Sequence, residues 1–379
     1  MGAFRKGLPD IFVGKTHFKR GMRALRGVSV DANVKNQRDQ TCKFAATSID
    51  ALMKGLTVPL SQSIKAYRAA FKHAHPFEAT VGDLVVRARV KQGEPELAEL
   101  LLGLKGLRAE TSRLAKQHAA AAKKATSSSE AEVILEEAVA ALRALYEGGE
   151  SLSTALDDML GLQKALRRIP VLELHTLSAV LVGTPNVGKS SLVRAVSTGL
   201  PEVNDYPFTT RSVTIGHIVE PPEGLQEGLR LQIMDTPGLL DRGEELRNEM
   251  EKLTFASLAH LPTAVVFVLD PSGLSGEQHS SLEQQLSVRA ALRARFPSRP
   301  WLDVVSKADL HVPQETLARM PPGFLHVSVV SGHGMQELGA AVRRLAADLK
   351  VALEAPLRRD RAAAEKRAAG SAVEPEAVP

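Results

Sequence analysis

Residues 183–190 read Gly183-Thr184-Pro185-Asn186-Val187-Gly188-Lys189-Ser190, the G-x-x-x-x-G-K-S spacing of a phosphate-cradling loop. Upstream, Leu177-Ser178-Ala179-Val180-Leu181-Val182 is a short apolar run that suits a buried strand, and downstream Ser191-Leu192-Val193-Arg194-Ala195-Val196 opens a helix. Strand, loop and helix in that order are the context this spacing requires. Gly183 and Gly188 allow the sharp turn that aims several N–H groups at one anion, and the helix N-terminus adds its positive end. Lys189 is expected on the β- and γ-phosphates and Ser190 on Mg²⁺, with Asn186, Val187 and Ser191 completing the cradle. The alternative is a glycine-bearing turn with a chance lysine, and the rest of the chain argues against it.

Four further motifs follow in order. Asp235-Thr236-Pro237-Gly238 ends the apolar run from Leu229 to Met234, so Asp235 is expected near Mg²⁺ and the Gly238 N–H near the γ-phosphate. Between the two, Tyr206-Pro207-Phe208-Thr209-Thr210-Arg211 reads as a switch segment. Thr210, or failing it Thr209, is expected at Mg²⁺ and the γ-phosphate. Ser306-Lys307-Ala308-Asp309 follows the strand-like run Trp301 to Val305. A carboxylate at Asp309 can accept both N1–H and N2–H of guanine, which adenine cannot match, and such a polar mismatch discriminates strongly. Ser331-Gly332 follows the run Phe324 to Val330, where a backbone N–H is expected to meet guanine O6. Each motif is weak alone, but five in order within about 150 residues specify a guanine nucleotide site.

The wording of these motifs resembles the Obg-related P-loop GTPases, and within them the nucleolar-GTP-binding-protein (NOG) type. The shared text runs through residues 183–191, 206–211, Gly216-His217, Asp235-Thr236-Pro237-Gly238-Leu239-Leu240-Asp241, Arg247-Asn248-Glu249-Met250-Glu251 and Leu258-Ala259-His260-Leu261. His75-Pro76-Phe77 and Arg168-Ile169-Pro170 are also similar to the family, so the resemblance covers about residues 35–340. It implies a GTPase that assists assembly of the large ribosomal subunit, with a helical N-terminal domain touching ribosomal RNA.

Two departures qualify that expectation. The family's guanine motif begins with Asn, which would contact the base and tie its loop to the phosphate segment. Ser306 is shorter and is expected to keep only part of this, weakening affinity while Asp309 preserves guanine preference. Nucleolar members also carry a long extension after the GTPase domain, whereas this chain stops at Pro379. The short form with Ser-Lys-x-Asp resembles the plant and algal organelle branch, so a plastid is expected ahead of a mitochondrion, with the cytoplasm as the alternative. Many GTPases place a water-orienting Gln directly after Asp-x-x-Gly, but here Leu239 stands there. Catalysis must then draw on Lys189, Thr210, Gly238, a second ion or a partner. In related GTPases an Asn at the position of Asn186 holds potassium; the alternative is that Asn186 stabilises the turn. Unaided turnover is expected at about 10⁻⁴ to 10⁻² per second.

The chain has 379 residues, 44% of them hydrophobic, enough for two packed domains. Its one cysteine, Cys42, excludes an internal disulfide and a cysteine-built zinc site. No uninterrupted apolar stretch approaches bilayer-spanning length. Nothing argues for self-association, and the histidines show no metal-ligand spacing. The expected layout is a basic N-terminal arm at 1–39, a helical bundle contacting ribosomal RNA at 40–170, an α/β GTPase domain with a mostly parallel sheet at 171–350, and an Ala-rich charged tail at 351–379. Helical periodicity marks segments near 40–55, 60–73, 79–89, 95–124 and 130–168, with Leu97, Leu100, Leu101, Leu104 and Leu107 forming one core stripe. Lys123 to Ser129 reads as a connecting loop, and Ser129-Glu130-Ala131-Glu132 reads as a capping box.

Charge is uneven. Met1 to His73 carries 14 Lys or Arg against 4 Asp, whereas the whole chain sums to only +5. Lys15, Lys19, Arg20, Arg23 and Arg26 fall within twelve residues. Such a patch is the footprint of a phosphate-rich partner, here ribosomal RNA in a large-subunit precursor; a solvated helix face or part of a targeting sequence are the alternatives. Two functions of different class therefore stand: a GTPase that times its own release, and a GTP-gated scaffold with little or no hydrolysis. A tRNA-modifying GTPase is disfavoured, because no second catalytic constellation accompanies the motifs.

Overall fold

Pro59 falls where the periodicity expects a break between two helices, yet residues 37–73 run as a single helix through it. The structure is a computed structural model and describes residues 4, 7–31, 33–148, 151–170, 172–208, 212–220, 228–240, 247–274 and 280–370. It divides into two units, Met1–Ile169 and Pro170–Pro379.

The first unit is all helix. The segment expected as an arm contains α1 (Gly14–Arg26), which buries Gly14, His17, Phe18 and Gly21, positions i, i+3, i+4 and i+7 of one face. Lys15, Lys19, Arg20, Arg23 and Arg26 are all exposed on the other. α1 packs on α2 (Gln37–His73). There Pro59 has no N–H to offer the preceding turn, and the nearby Leu56 carbonyl accepts from His17 Nε2 at 2.9 Å. The His17 ring stacks on Tyr146, with centroids 5.4 Å apart. Asn36 caps α2 by accepting from the Arg38 and Asp39 N–H groups. His75 caps α3 (Pro76–Val90), with Pro76 in the first turn, as a turn between helices requires.

α4 (Leu97–Lys124) buries Leu100, Leu101, Leu104 and Leu107, the expected stripe, with Leu97 half-buried at its end. The connection to α5 (Ser128–Glu147) is shorter than expected, because the cap is Ser127: its Oγ accepts the Glu130 N–H at 3.1 Å. The expected box at Ser129 does not form, because Ser129 lies inside the helix, and the Glu130 carboxylate accepts from Thr126. The stretch expected as one helix over 130–168 is α5 and α6 (Ser151–Arg167), with Gly148 capping the first.

The second unit is a seven-stranded sheet in the order β2-β3-β4-β1-β5-β6-β7. Its strands are β1 (Ser178–Val182), β2 (Glu202–Asn204), β3 (Val213–Glu220), β4 (Leu229–Asp235), β5 (Thr263–Leu269), β6 (Trp301–Val305) and β7 (Leu325–His326). β1 pairs parallel with β4 and β5, and β6 and β7 continue the parallel run, while β3 is antiparallel to β2 and β4. β1 and β5 are buried along their whole length, the mark of central strands covered on both faces. Helices α7 (Lys189–Val196), α8 (Glu249–His260), α9 (Leu282–Arg295) and α10 (Gln314–Ala318) alternate with the strands. α11 (Met335–Gly370) buries Leu338, Val342, Leu345, Ala346 and Leu349 in the same core as β1, β4 and β5. It continues as helix past residue 350 into the segment read as the Ala-rich charged tail.

The order β4-β1-β5 makes the carboxyl end of β1 the place where successive connections go to opposite sides of the sheet. In open α/β sheets, ligands bind at such a crevice.

Candidate nucleotide site

The loop at the end of β1 takes the shape its residues suggest. Gly183 has φ +156, and a Cβ there would stand 2.2 Å from the Val268 carbonyl oxygen, so only glycine fits. Asn186 adopts the left-handed region at φ +64, which Asn tolerates better than most side chains. This is the backbone geometry of a turn, and the Asn186 side chain is exposed. Gly188 caps α7, and Lys189 begins it. The Lys189 ammonium donates to the Thr184 carbonyl at 2.8 Å and the Gly183 carbonyl at 3.3 Å, so it lies across the mouth of its own loop.

Asp235 ends β4, one strand away from β1, and the Ser190 hydroxyl donates to Asp235 Oδ2. The other oxygen, Oδ1, is buried without a hydrogen-bond partner among the described residues. Burial pushes the Asp235 carboxyl above its ordinary range, against the lowering influence of the Lys189 ammonium and the Ser190 hydroxyl. A buried carboxylate oxygen with an open coordination position, beside a hydroxyl, is the donor set a hard cation such as Mg²⁺ requires. The residues present therefore fit the ion: Ser190 and Asp235 would hold it, and when bound it supplies charge neutralisation on phosphate oxygens.

The strand that delivers Asp235 also delivers Gly238. A Cβ on Gly238 would meet the Pro185 nitrogen at 2.5 Å, so the two loops touch backbone to backbone. Leu239 donates its N–H to the Gly183 carbonyl at 3.0 Å and buries its side chain. Glu251, on α8, is buried and accepts the Leu240 and Asn248 N–H groups, each at 3.0 Å. This clamp was not read from the sequence as a site feature. The capping spacing Asn248-x-x-Glu251 signals the helix start, but not the second bond that holds the preceding loop.

The segment expected to read the base is bound to the phosphate loop. Ser306 is buried, and its hydroxyl donates to the Val187 carbonyl at 2.6 Å, with the Leu269 carbonyl at 3.3 Å. Lys307, at φ +54, donates to the Asn186 carbonyl at 3.0 Å and pairs with buried Asp270 at 2.7 Å. Serine thus retains the tie to the phosphate segment. Asp309 is exposed and accepts a hydrogen bond from the Ser328 hydroxyl. Ser331 donates its N–H to that same hydroxyl at 3.1 Å, and Gly332 adopts φ +75. The residue that meets Asp309 is therefore Ser328, which the sequence reading missed. Its signal is a serine just past β7, inside an apolar run that was read as strand to Val330. Thr209 and Thr210 lie outside the described residues. Ser191 follows Ser190 in the first turn of α7.

Among the described residues, no group of three or more His, Cys, Asp or Glu side chains could hold a metal ion, and no helix is long and apolar enough to cross a membrane.

The chain is similar to known proteins in both of its units. Residues 12–173 match the NOG1 N-terminal helical domain, and residues 178–302 match the family described as 50S ribosome-binding GTPase. The second match ends before Ser306. The chain is 34% identical over 180 residues to nucleolar GTP-binding protein 1 of Arabidopsis thaliana, a stretch that is 48% of this chain and 25% of that protein. It is 37% identical over 145 residues to nucleolar GTP-binding protein 1 of Caenorhabditis elegans, 38% of this chain and 20% of that protein. The matched stretches thus span a quarter or less of these two relatives' length. A crystal structure of the putative nucleolar GTP-binding protein 1 of Plasmodium falciparum is 25% identical with a TM-score of 0.40, covering 52% of this chain and all of that one.

Proposed function

Because the chain carries a NOG1 N-terminal helical domain followed by a P-loop GTPase domain, we propose that it is a GTP-binding and GTP-hydrolysing assembly factor for the large ribosomal subunit. It binds pre-ribosomal RNA through the basic face of its first unit and uses the GTP state of its second to time release. The observation that carries the nucleotide half is the joining of Ser306 and Lys307 to the carbonyls of Val187 and Asn186. One bonded frame thereby holds both the phosphate loop and the carboxylate of Asp309. The RNA half is supported by the exposure of Lys15, Lys19, Arg20, Arg23 and Arg26 along α1. The name of the family matched by the second unit points the same way.

Within this proposal Lys189, Thr210 and Gly238 act on the γ-phosphate, Ser190, Thr210 and Asp235 hold Mg²⁺, and Asn186 is the candidate potassium ligand. The guanine base lies against Asp309, with Ser331 and Gly332 in the neighbouring loop. An organelle setting rests on the Ser-Lys-x-Asp resemblance alone, and the curated relatives are named for the nucleolus.

One observation favours the scaffold reading. The side chain at Leu239, where a water-orienting group often stands, is buried and apolar. Two titrations test the proposal: GDP against ADP with Mg²⁺, and large-subunit ribosomal RNA across a salt series. GDP should bind far more tightly than ADP. RNA affinity should fall steeply with salt, and the slope should lessen by about 0.7–0.9 for each phosphate-contacting residue of α1 replaced by Gln. Equal binding of ADP and GDP would overturn the first half, and a slope unmoved by those replacements the second.

A further inference from the structure

The Ser306 hydroxyl has one proton, and the two groups within its reach, the Val187 and Leu269 carbonyls, can only accept. At 2.6 Å and 3.3 Å respectively, the Val187 carbonyl holds that proton. Several other donors of this turn are engaged too. The Ser306 N–H donates to the Leu269 carbonyl at 2.9 Å, the Ala308 N–H to the Val327 carbonyl at 3.0 Å, and the Leu310 N–H to the Lys307 carbonyl at 2.9 Å. The Lys307 ammonium spans the Asn186 carbonyl and the Asp270 carboxylate.

Guanine presents different groups on its two edges. N1–H and N2–H are donors that suit the Asp309 carboxylate, whereas N7 is an acceptor and needs a donor. Asp309 can supply none while ionised, and the Ser306 hydroxyl has spent its one proton on the Val187 carbonyl.

We propose that Ser306 is a loop-positioning residue that leaves N7 of the base unread, so that the site takes guanine nucleotides lacking an N7 acceptor as readily as guanine nucleotides themselves. The inference rests on the guanine nucleotide reading above and makes it more specific. Discrimination runs through the N–H edge and Asp309, while the role of Ser306 is to fix the distance between the base loop and the phosphate loop. A donor added at this position should then create an N7 preference that the natural chain lacks.

The test is equilibrium binding of GDP, 7-deaza-GDP and ADP to the full chain with Mg²⁺, repeated on Ser306→Ala and Ser306→Asn. The natural chain should bind GDP and 7-deaza-GDP within about twofold of each other and ADP far more weakly. Ser306→Ala, which loses the tie to Val187, should weaken both guanine compounds by the same factor. Ser306→Asn offers a second N–H and should favour GDP over 7-deaza-GDP by about two- to tenfold, the range of one net hydrogen bond. A tenfold preference of the natural chain for GDP over 7-deaza-GDP, with discrimination against ADP intact, would overturn this inference alone. So would Ser306→Ala weakening GDP while sparing 7-deaza-GDP, for that would make the hydroxyl a base contact. Equal binding of ADP and GDP would remove the nucleotide reading and this inference with it.

Discussion

The Ser190 hydroxyl donates to the Asp235 carboxylate across 45 residues of sequence, joining the first turn of α7 to the end of β4. The bond exists because β1 and β4 are parallel neighbours, with Leu181 in register with Asp235. It brings together the hydroxyl and the carboxylate that would hold a divalent cation, and the carboxylate is buried.

That burial has a consequence for stability. A carboxyl whose folded pKa is raised by burial binds protons in the native state over a pH range where the unfolded chain has lost them. Its ionisation therefore costs stability above the ordinary carboxyl value of 3.8, increasingly up to the raised folded value and constantly beyond it. Asp235→Asn removes this cost. At pH 7 without nucleotide, its melting temperature should rise. The gain should disappear toward pH 3, and the stabilisation by Mg²⁺ and GDP should be lost. Thermal unfolding at the two pH values, with and without ligand, checks all three.

Asp309 faces solvent with one oxygen bonded to Ser328. Asp309→Asn puts an amide where guanine needs acceptors, and loss of two hydrogen bonds to a charged group should cost at least a hundredfold in GDP affinity. Xanthosine diphosphate, which carries an oxygen in place of the exocyclic amine, should gain. Competition titrations with the two nucleotides read the exchange directly.

Glu251 sets the position of the loop that carries Gly238. Glu251→Gln replaces one acceptor oxygen by a donor facing a backbone N–H, leaving a buried group unmatched. The expected cost is about 1–3 kcal/mol, seen as a lower melting temperature without ligand. GDP binding should weaken as well, because Leu239 and Gly238 lose their anchored neighbour. An unchanged nucleotide affinity would confine Glu251 to helix capping.

His17 is buried beneath the basic face, and its pKa is lowered chiefly by that burial, with Arg20 adding to the effect and the Leu56 carbonyl opposing it. The unfolded chain then takes up a proton near pH 6.5 that the folded chain refuses, so stability falls as pH drops through that value. His17→Gln, which can still donate to Leu56, should flatten the loss between pH 7.5 and 5. Urea unfolding at the two pH values measures it.

The sequence made the phosphate loop and the strand frame legible because their signals are local. β6 spans Trp301–Val305 as read, and β1 ends at Val182, immediately before Gly183. What escaped depends on distant partners. The burial of His17 and Phe18 requires α2 and Tyr146, and nothing near residue 17 announces either. Ser328 becomes visible only once β7 is seen to end at His326, because the apolar text continues to Val330. Pro59 breaks the local rule for a helix interior, yet α2 survives it because contacts with α1, α4 and α5 surround that helix.

The most direct test of the central claim is GTP turnover by the purified chain in potassium against sodium, with and without large-subunit ribosomal RNA, using Lys189→Ala as the blank. Turnover above that blank, slow alone at about 10⁻⁴ to 10⁻² per second and raised by potassium or RNA, is the expected result. Tight GTP binding with no turnover under any of these conditions would contradict the enzyme reading and leave a nucleotide-gated scaffold.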